Sequence, residues 1–328
     1  MAYSEQVLRR ARERLEQAKA AREREYEEHR RIAYERYPRL AEIDHELRVS
    51  MSQLMATVLR SGEDPAARIA ELRDRNLALQ REREWILEAE FEEGFLDDSP
   101  VCAKCGGTGY TGAQMCSCLR ELCRREQKKE LTSLLGTGRE TFDNFRTDVY
   151  PDTYDPKLGT SARQLMQSNL NICRRYAQTV AAGAGDLLFS GATGLGKTLL
   201  SACIARQVAD RGFSVVYESA IRLFSDFEAE KFAAAQEENR GLTQKYLNCD
   251  LLIIDDLGTE MTTQFTVSAL YHVVNSRMME RRSTIISTNL LPDALETRYS
   301  PQIASRIIGG YRLIKFAGND LRRPSQNR

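Results

Sequence analysis

The apolar positions of this chain change period partway along. From Leu40 they fall at Leu40, Ile43, Leu47, Met51, Leu54 and Val58, three or four apart, which is the spacing of a coiled-coil seam. A second helix is expected after Pro65, through Ile69, Leu72, Leu79 and Ile86, and the SGEDP turn at 61–65 lets the two pack as a hairpin. From Thr141 the pattern becomes short apolar runs alternating with amphipathic stretches. The runs are Asp186–Ser190, Phe213–Tyr217, Leu251–Asp255, Thr284–Ser287 and Leu313–Phe316. Such alternation predicts an α/β domain with a parallel sheet covered on both faces.

Charge sharpens the reading of the first block. Of its first 90 residues 37 are charged, 18 basic and 19 acidic, and only Gly62, Pro38 and Pro65 interrupt it, so long helices with paired surface charges are expected. A hairpin of this size has little core of its own, which favours a docking arm for another protein over a solvated spacer. The whole chain carries 47 basic and 47 acidic residues, so no global field argues for nucleic acid. No apolar run approaches the roughly 20 residues of a membrane helix. The charged start, MAYSEQVLRRARERLEQ, lacks the apolar core of a secretory signal, and a cytoplasmic, reducing location is expected. None of the eight cysteines precedes Cys102, and five fall between Cys102 and Cys123, a clustering that favours a metal over disulfides. These shifts divide the chain into a helical arm (1–95), a metal-binding module (96–130), a linker (131–160), an α/β domain (161–320) and a tail (321–328). The final RPSQNR reads as disordered.

Gly191-Ala-Thr-Gly-Leu-Gly-Lys-Thr198 matches G-x-x-x-x-G-K-T, directly after the run Leu187–Phe189 and directly before the helical LLSACIARQVAD. That strand–loop–helix context is what a phosphate-binding loop requires. Gly191, Gly194 and Gly196 let the backbone wrap with its N–H groups inward, while Thr193, Leu195 and Leu199 complete the loop and the first helical turn. Lys197 is placed for the β- and γ-phosphates of ATP, and the Thr198 hydroxyl for Mg²⁺. Leu251-Leu-Ile-Ile-Asp-Asp256 supplies the other half: a buried strand ending in two acids. Asp255 is the magnesium partner and Asp256 sits where a base orients the attacking water. Thr284–Ser287 ends in Thr288-Asn289, whose amide could hold that water. The C-terminal stretch carries Arg298, Arg306, Arg312, Arg322 and Arg323, either a solvated face or arginines that reach a γ-phosphate.

With both nucleotide motifs placed, the chain resembles the AAA+ ATPases of the DnaC/DnaI type, the bacterial replicative helicase loaders. The similar pieces, in order, are TFDNF (141–145), GATGLGKT, LLIIDDLGTE, the NSR of Asn275–Arg277, TIISTNL and ASRI…GNDLR, over roughly 185 residues. The resemblance implies a five-stranded parallel sheet of order 5-1-4-3-2. It implies that Asn289 is the sensor-1 residue, that Arg322 is the sensor-2 arginine, and that Arg306 is the finger acting across a subunit boundary in a self-associated assembly. Phe142 and Phe145 lie where the family's segment before the core borders the adenine. Most AAA+ proteins carry Glu after the magnesium Asp; here Asp256 is one methylene shorter, and Glu260 is a second candidate. Hydrolysis that is slow would suit a switch better than a motor. The short stretch after Phe316 leaves no room for the usual helical lid.

Cys102-x2-Cys105 and Cys116-x-Cys118 are ten residues apart, and four thiolates at that spacing can enclose Zn²⁺ with no open position for substrate. Cys123 could replace one of them. Residues 102–118 resemble the zinc-binding, helicase-docking domain ahead of the ATPase in DnaI-type loaders. Cys173, Cys203 and Cys249 read as buried thiols. The expected function is ATP-dependent loading of a hexameric, DnaB-type replicative helicase onto single-stranded DNA. The alternatives are a transposition helper of the IstB type and a nucleotide-gated adaptor that binds only protein. The insert Glu218–Leu247, with Arg222, Lys231, Arg240 and Lys245, lies where loaders keep a DNA-contacting helix, or is simply solvated.

Overall fold

The structure, a computed structural model, describes residues 3–59, 65–135, 140–180, 184–232 and 241–322; of residues 51–59, 65–68 and 135 it describes the backbone alone. The seam side chains Met51, Leu54 and Val58, residues 61–64 of the SGEDP turn, Arg240 and the RPSQNR tail therefore lie outside the described residues or side chains. The chain divides into two compact units, one of Met1–Arg12 with Ser117–Arg328, the other Glu13–Cys116.

Three helices open the chain: α1 (Glu5–Arg36), α2 (Pro38–Leu59) and α3 (Pro65–Glu90). Proline begins both α2 and α3, where its missing N–H costs no helical hydrogen bond. The expected seam holds α2 against α3: Leu40, Ile43, Leu79 and Ile86 are buried in one cluster, with Leu47 packed at its side. Charges line its rim, with Arg39 bidentate to Glu82 at 2.7 and 2.9 Å, Arg75 to Glu46 at 2.7 Å and Arg83 to Asp44 at 2.8 Å. A two-stranded hairpin follows, β1 (Tyr110–Thr111) with β2 (Gln114–Met115).

The second unit takes in the first residues of the chain and α4 (Ser117–Leu135), which the sequence divides off with the arm and the metal module. The reason is apolar cover that the charge of α1 conceals. Tyr3, Val7 and Ala11 are buried, and Tyr3 Oη donates to Gly212 O at 2.9 Å. Next come β3 (Tyr154–Asp155), β4 (Thr160–Ser161), and α5 (Ala162–Thr179), capped by the Ser161 hydroxyl, which accepts from Gln164 N.

The main sheet is built from β5 (Asp186–Ser190), α6 (Lys197–Asp210), β6 (Val215–Ser219), α7 (Ala220–Phe232), α8 (Gln244–Asn248), β7 (Leu251–Leu257), α9 (Gln264–Met279), β8 (Ser283–Thr288), α10 (Pro292–Arg298), α11 (Pro301–Gly310) and β9 (Tyr311–Lys315). All pairings are parallel, in the order β9-β5-β8-β7-β6, which by succession along the chain is 5-1-4-3-2. Side chains alternate between faces. Leu187, Phe189, Leu251, Ile253 and Ile285 pack with α5 and α6, whereas Leu188, Leu252, Ile254 and Ile286 pack with α7, α9 and α11. Residues Leu251 to Ile254 are wholly buried, each contributing roughly 1.5–3 kcal/mol.

Strand β6 begins two residues later than the Phe213–Tyr217 run suggests. Gln127 of α4 takes the place of a neighbouring strand there, its Nε2 donating to Phe213 O and its Oε1 accepting from Val215 N, both at 2.9 Å. Ser214 is held by Asp250 Oδ2 at 2.8 Å. An exposed sheet edge is thereby closed by a side chain. Among the described residues no helix is long and apolar enough to cross a membrane.

Candidate active site

Parallel strands bring their C-terminal ends to one edge, and the loop from β5 to α6 turns there. Glycine is required at two of its positions. A Cβ on Gly191 would stand 2.5 Å from the Phe316 carbonyl oxygen. Gly196 adopts φ +88° just before α6, and a Cβ there would meet Tyr150 Oη at 2.9 Å. Tyr150 supports the loop from below, donating to Leu195 O at 2.9 Å. Thr193, Thr198 and Leu199 are exposed, Gly194 is half-buried and Leu195 is buried.

Lys197 is buried and its Nζ donates to Gly191 O at 2.7 Å and Ala192 O at 2.8 Å. Burial pushes its ammonium pKa down, Asp256 and then Asp255 hold it up, and Arg322 pushes it down further. Lys197, Asp255, Asp256 and Arg322 thus share one electrostatic site, drawn from three separated stretches of chain. Arg322 arrives on a C-terminal turn whose Leu321 N–H donates to Gly194 O at 3.0 Å.

The two aspartates diverge through a bulge. β7 and β8 keep register to Ile254↔Ile286 and resume at Leu257↔Thr288. Asp255 remains buried: Tyr217 of β6 donates to its Oδ2 at 2.7 Å and Ser287 of β8 donates to its Oδ1. Asp256 is turned out of the sheet at φ +54°, a conformation that costs a non-glycine residue roughly 1–2 kcal/mol. Its N–H is fixed by Ser287 Oγ at 2.9 Å. Bulges re-aim side chains beside functional sites in this way. Burial, then the Asp255 charge, raises the Asp256 pKa; Lys197 and Arg322 oppose.

Glu260 is otherwise committed. It is buried, takes the Gly258 N–H on Oε2 at 2.9 Å and the Tyr299 hydroxyl on Oε1, and stands 3.9 Å from Arg298 Nε. Asn289 is exposed at the tip of β8, next to Thr288, whose carbonyl accepts from Gly191 N at 3.3 Å. Both phenylalanines are buried. Phe145 lies against the loop, 3.4 Å from where a Gly196 Cβ would be, while Phe142 faces the Arg174 guanidinium at 5.8 Å. Arg306 stands on α11, where its hydrogen bonds run to α9 and to its own helix. Tyr217, Ser287 and Tyr150 escape a sequence reading because their partners are distant in sequence; the only signal is a polar side chain near a strand end.

The Sγ atoms of Cys102, Cys105, Cys116 and Cys118 all lie within 4.8 Å of one another, Cys102 and Cys116 at 3.9 Å. Tetrahedral Zn–S bonds of about 2.3 Å require edges of roughly 3.8 Å, so the four thiols fit that ion. Gly109 N–H points at Cys105 Sγ at 3.3 Å. Cys123 is outside the four, fully buried, and burial pushes its thiol up to about 11. The buried Asp255 oxygens and the exposed Thr198 hydroxyl likewise suit a hard cation such as Mg²⁺.

Residues 157–301 match the family model of the IstB-like ATP binding protein. That stretch is similar to an IstB-like ATP-binding domain, and the phosphate-loop motif at 191–198 falls within it. The chain is 21% identical over 188 residues to the Replicative helicase loader DnaC of Buchnera aphidicola subsp. Acyrthosiphon pisum, covering 57% of this chain and 73% of that protein. To the Replicative helicase loader DnaC of Escherichia coli K12 it is 27% identical over 120 residues, 37% of this chain and 49% of the relative. A crystal structure of the DnaC helicase loader aligns at 20% identity and TM-score 0.43, over 54% of this chain and 98% of that one. The chain thus spans about three quarters of the first of these two relatives and about half of the second.

Proposed function

We propose that the protein is an ATP-switched loader that places a hexameric, DnaB-type replicative helicase on single-stranded DNA. What supports this reading is the likeness to proteins named replicative helicase loaders, 21% identical over 188 residues and 27% over 120, together with the match of residues 157–301 to an ATP-binding family. In this account the backbone N–H groups of Gly191–Lys197 and the Lys197 ammonium hold the ATP phosphates, and Thr198 and Asp255 hold Mg²⁺, which neutralises charge at the γ-phosphate. Phe142 and Phe145 border the base. Asp256 and Asn289 orient water, Arg322 contacts the γ-phosphate from the same chain, and Arg306 completes a neighbour's site in an oligomer. A carboxylate one methylene short, held in a strained turn, suits slow turnover that a partner or DNA stimulates. Zn²⁺ on the four thiolates holds the docking module together.

The test uses full-length protein, a purified DnaB-type hexamer and circular single-stranded DNA. Capture of the helicase, and ATP-dependent transfer to the circle, are expected; absence of capture contradicts the reading. The family match over 157–301 favours a second reading, a transposition helper. Oligonucleotide titrations separate the two. The loader prefers single strands, with a shallow salt slope since the net charge is zero. Equal affinity for duplex favours the helper, and no binding at low salt favours a protein-only adaptor.

A further inference from the structure

Arg306 is not a free surface arginine. Its Nε donates to Asn275 Oδ1 at 3.1 Å, Nη2 to Tyr271 Oη at 2.9 Å and Nη1 to Gln302 O at 3.3 Å, while its guanidinium carbon lies 4.6 Å from the Tyr271 ring centre. Tyr271 and Asn275 are one turn apart on α9 and so share a face. Val273 on the opposite face is buried, as are Leu270 and Val274 on the flank, which fixes the orientation of the helix that carries the clasp.

Every one of these partners is neutral. Other arginines of this unit are treated differently: Arg298 sits 3.9 Å from Glu260, and Arg282 donates to Glu280 at 2.6 Å. A guanidinium has five N–H groups, and this clasp uses three, leaving one on each terminal nitrogen among the described contacts. The side chain therefore has its rotamer restricted, no carboxylate partner among the described residues and one N–H left on each terminal nitrogen, which is what bidentate recognition of a phosphate needs. A staple between two surface helices would be served as well or better by a carboxylate at position 275.

We infer that Tyr271 and Asn275 are positioning residues: they hold the Arg306 guanidinium in place, through neutral partners alone, for the phosphates bound by a second copy of this chain. The inference rests on the proposed role of Arg306 as a finger acting between subunits. In its absence the clasp would be only a contact between α9 and α11.

Steady-state ATP hydrolysis by full-length protein tests it through Asn275→Asp and Tyr271→Leu, beside Arg306→Ala. Asn275→Asp keeps the acceptor for Nε but pairs the cation with a charge. A purely structural clasp would tolerate it or gain stability. Positioning requires instead that kcat fall by about tenfold or more with KM for ATP little changed, since a preorganised charge at the phosphates is lost. Tyr271→Leu should lower kcat by about 10- to 100-fold through misplacement. Mixing either variant with Asp256→Ala protein should restore turnover, because the hybrid interface then pairs an intact site with an intact finger; a defect within the variant's own site would not be rescued. Parental kcat in both variants while Arg306→Ala loses activity would overturn the positioning inference and leave the finger standing. Parental kcat in Arg306→Ala would remove the finger, and the inference with it.

Discussion

Asp255 and Asp256 are neighbours in sequence and opposites in environment. The buried one receives hydroxyls from Tyr217 and Ser287 and the other is turned outward by the bulge. Tyr217→Phe keeps the ring and deletes one hydrogen bond to Asp255, so the Mg²⁺ dependence of ATP binding should weaken about tenfold, as for other groups that orient a metal ligand; an unchanged Mg²⁺ titration would discount Tyr217. The strand–loop–helix around 191–198 was legible because its spacing is local, and the buried place of Asp255 because it follows four apolar residues of a strand. The hydrogen bonds that occupy Glu260 were not legible, since they come from Tyr299 and Arg298, some forty residues on. Asp186 shows what burial does without a ligand. Desolvation raises its carboxyl to about 6, against the Thr284 N–H that it accepts and the Arg277 charge. An acid whose folded pKa is raised loses stability as pH rises from about 4 to about 6 and regains none above. Asp186→Asn should therefore stabilise the fold at pH 7.5 by roughly 1–3 kcal/mol, with the gain shrinking as pH falls toward 5. Thermal unfolding at both pH values checks it; a variant less stable than the parent at pH 7.5 would show that Arg277 needs the charge.

At the scale of elements, what the sequence disclosed was period and what it concealed was docking. The seam of α2 and α3 and the five strand runs follow from spacing. Four of the five strands have limits one or two residues away from the runs, and at the start of β6 the cause is a side chain that claims main-chain groups. The first turns of α1 read as charged helix, yet Tyr3, Val7 and Ala11 are buried in the unit that carries the nucleotide site. Gln127 is the clearest case, a polar residue on a charged helix that completes the edge of β6. Gln127→Leu should leave a main-chain donor and an acceptor unpaired at the cost of about 1–3 kcal/mol. Thermal unfolding should register this as a fall of roughly 2–6 °C. A melting temperature equal to the parent's would mean that water replaces the glutamine.

At the scale of the whole molecule, each unit has its own apolar cluster, and every nucleotide-site residue from Phe142 to Arg322 falls in one of them. Cys102 and Cys105 fall in the other unit, so Cys102→Ser with Cys105→Ser should weaken helicase capture while leaving ATP affinity nearly unchanged; an equal loss of both would mean that these thiols support the ATPase fold. All of this presumes that the loop at 191–198 binds MgATP. Equilibrium titration of the full-length protein with a fluorescent ATP analogue tests that most directly, with parent and Lys197→Ala compared in the presence and absence of Mg²⁺. The account predicts saturable, Mg²⁺-dependent binding by the parent and its loss in Lys197→Ala, which removes the buried cation facing the β- and γ-phosphates. Binding by Lys197→Ala as tight as the parent's would contradict it.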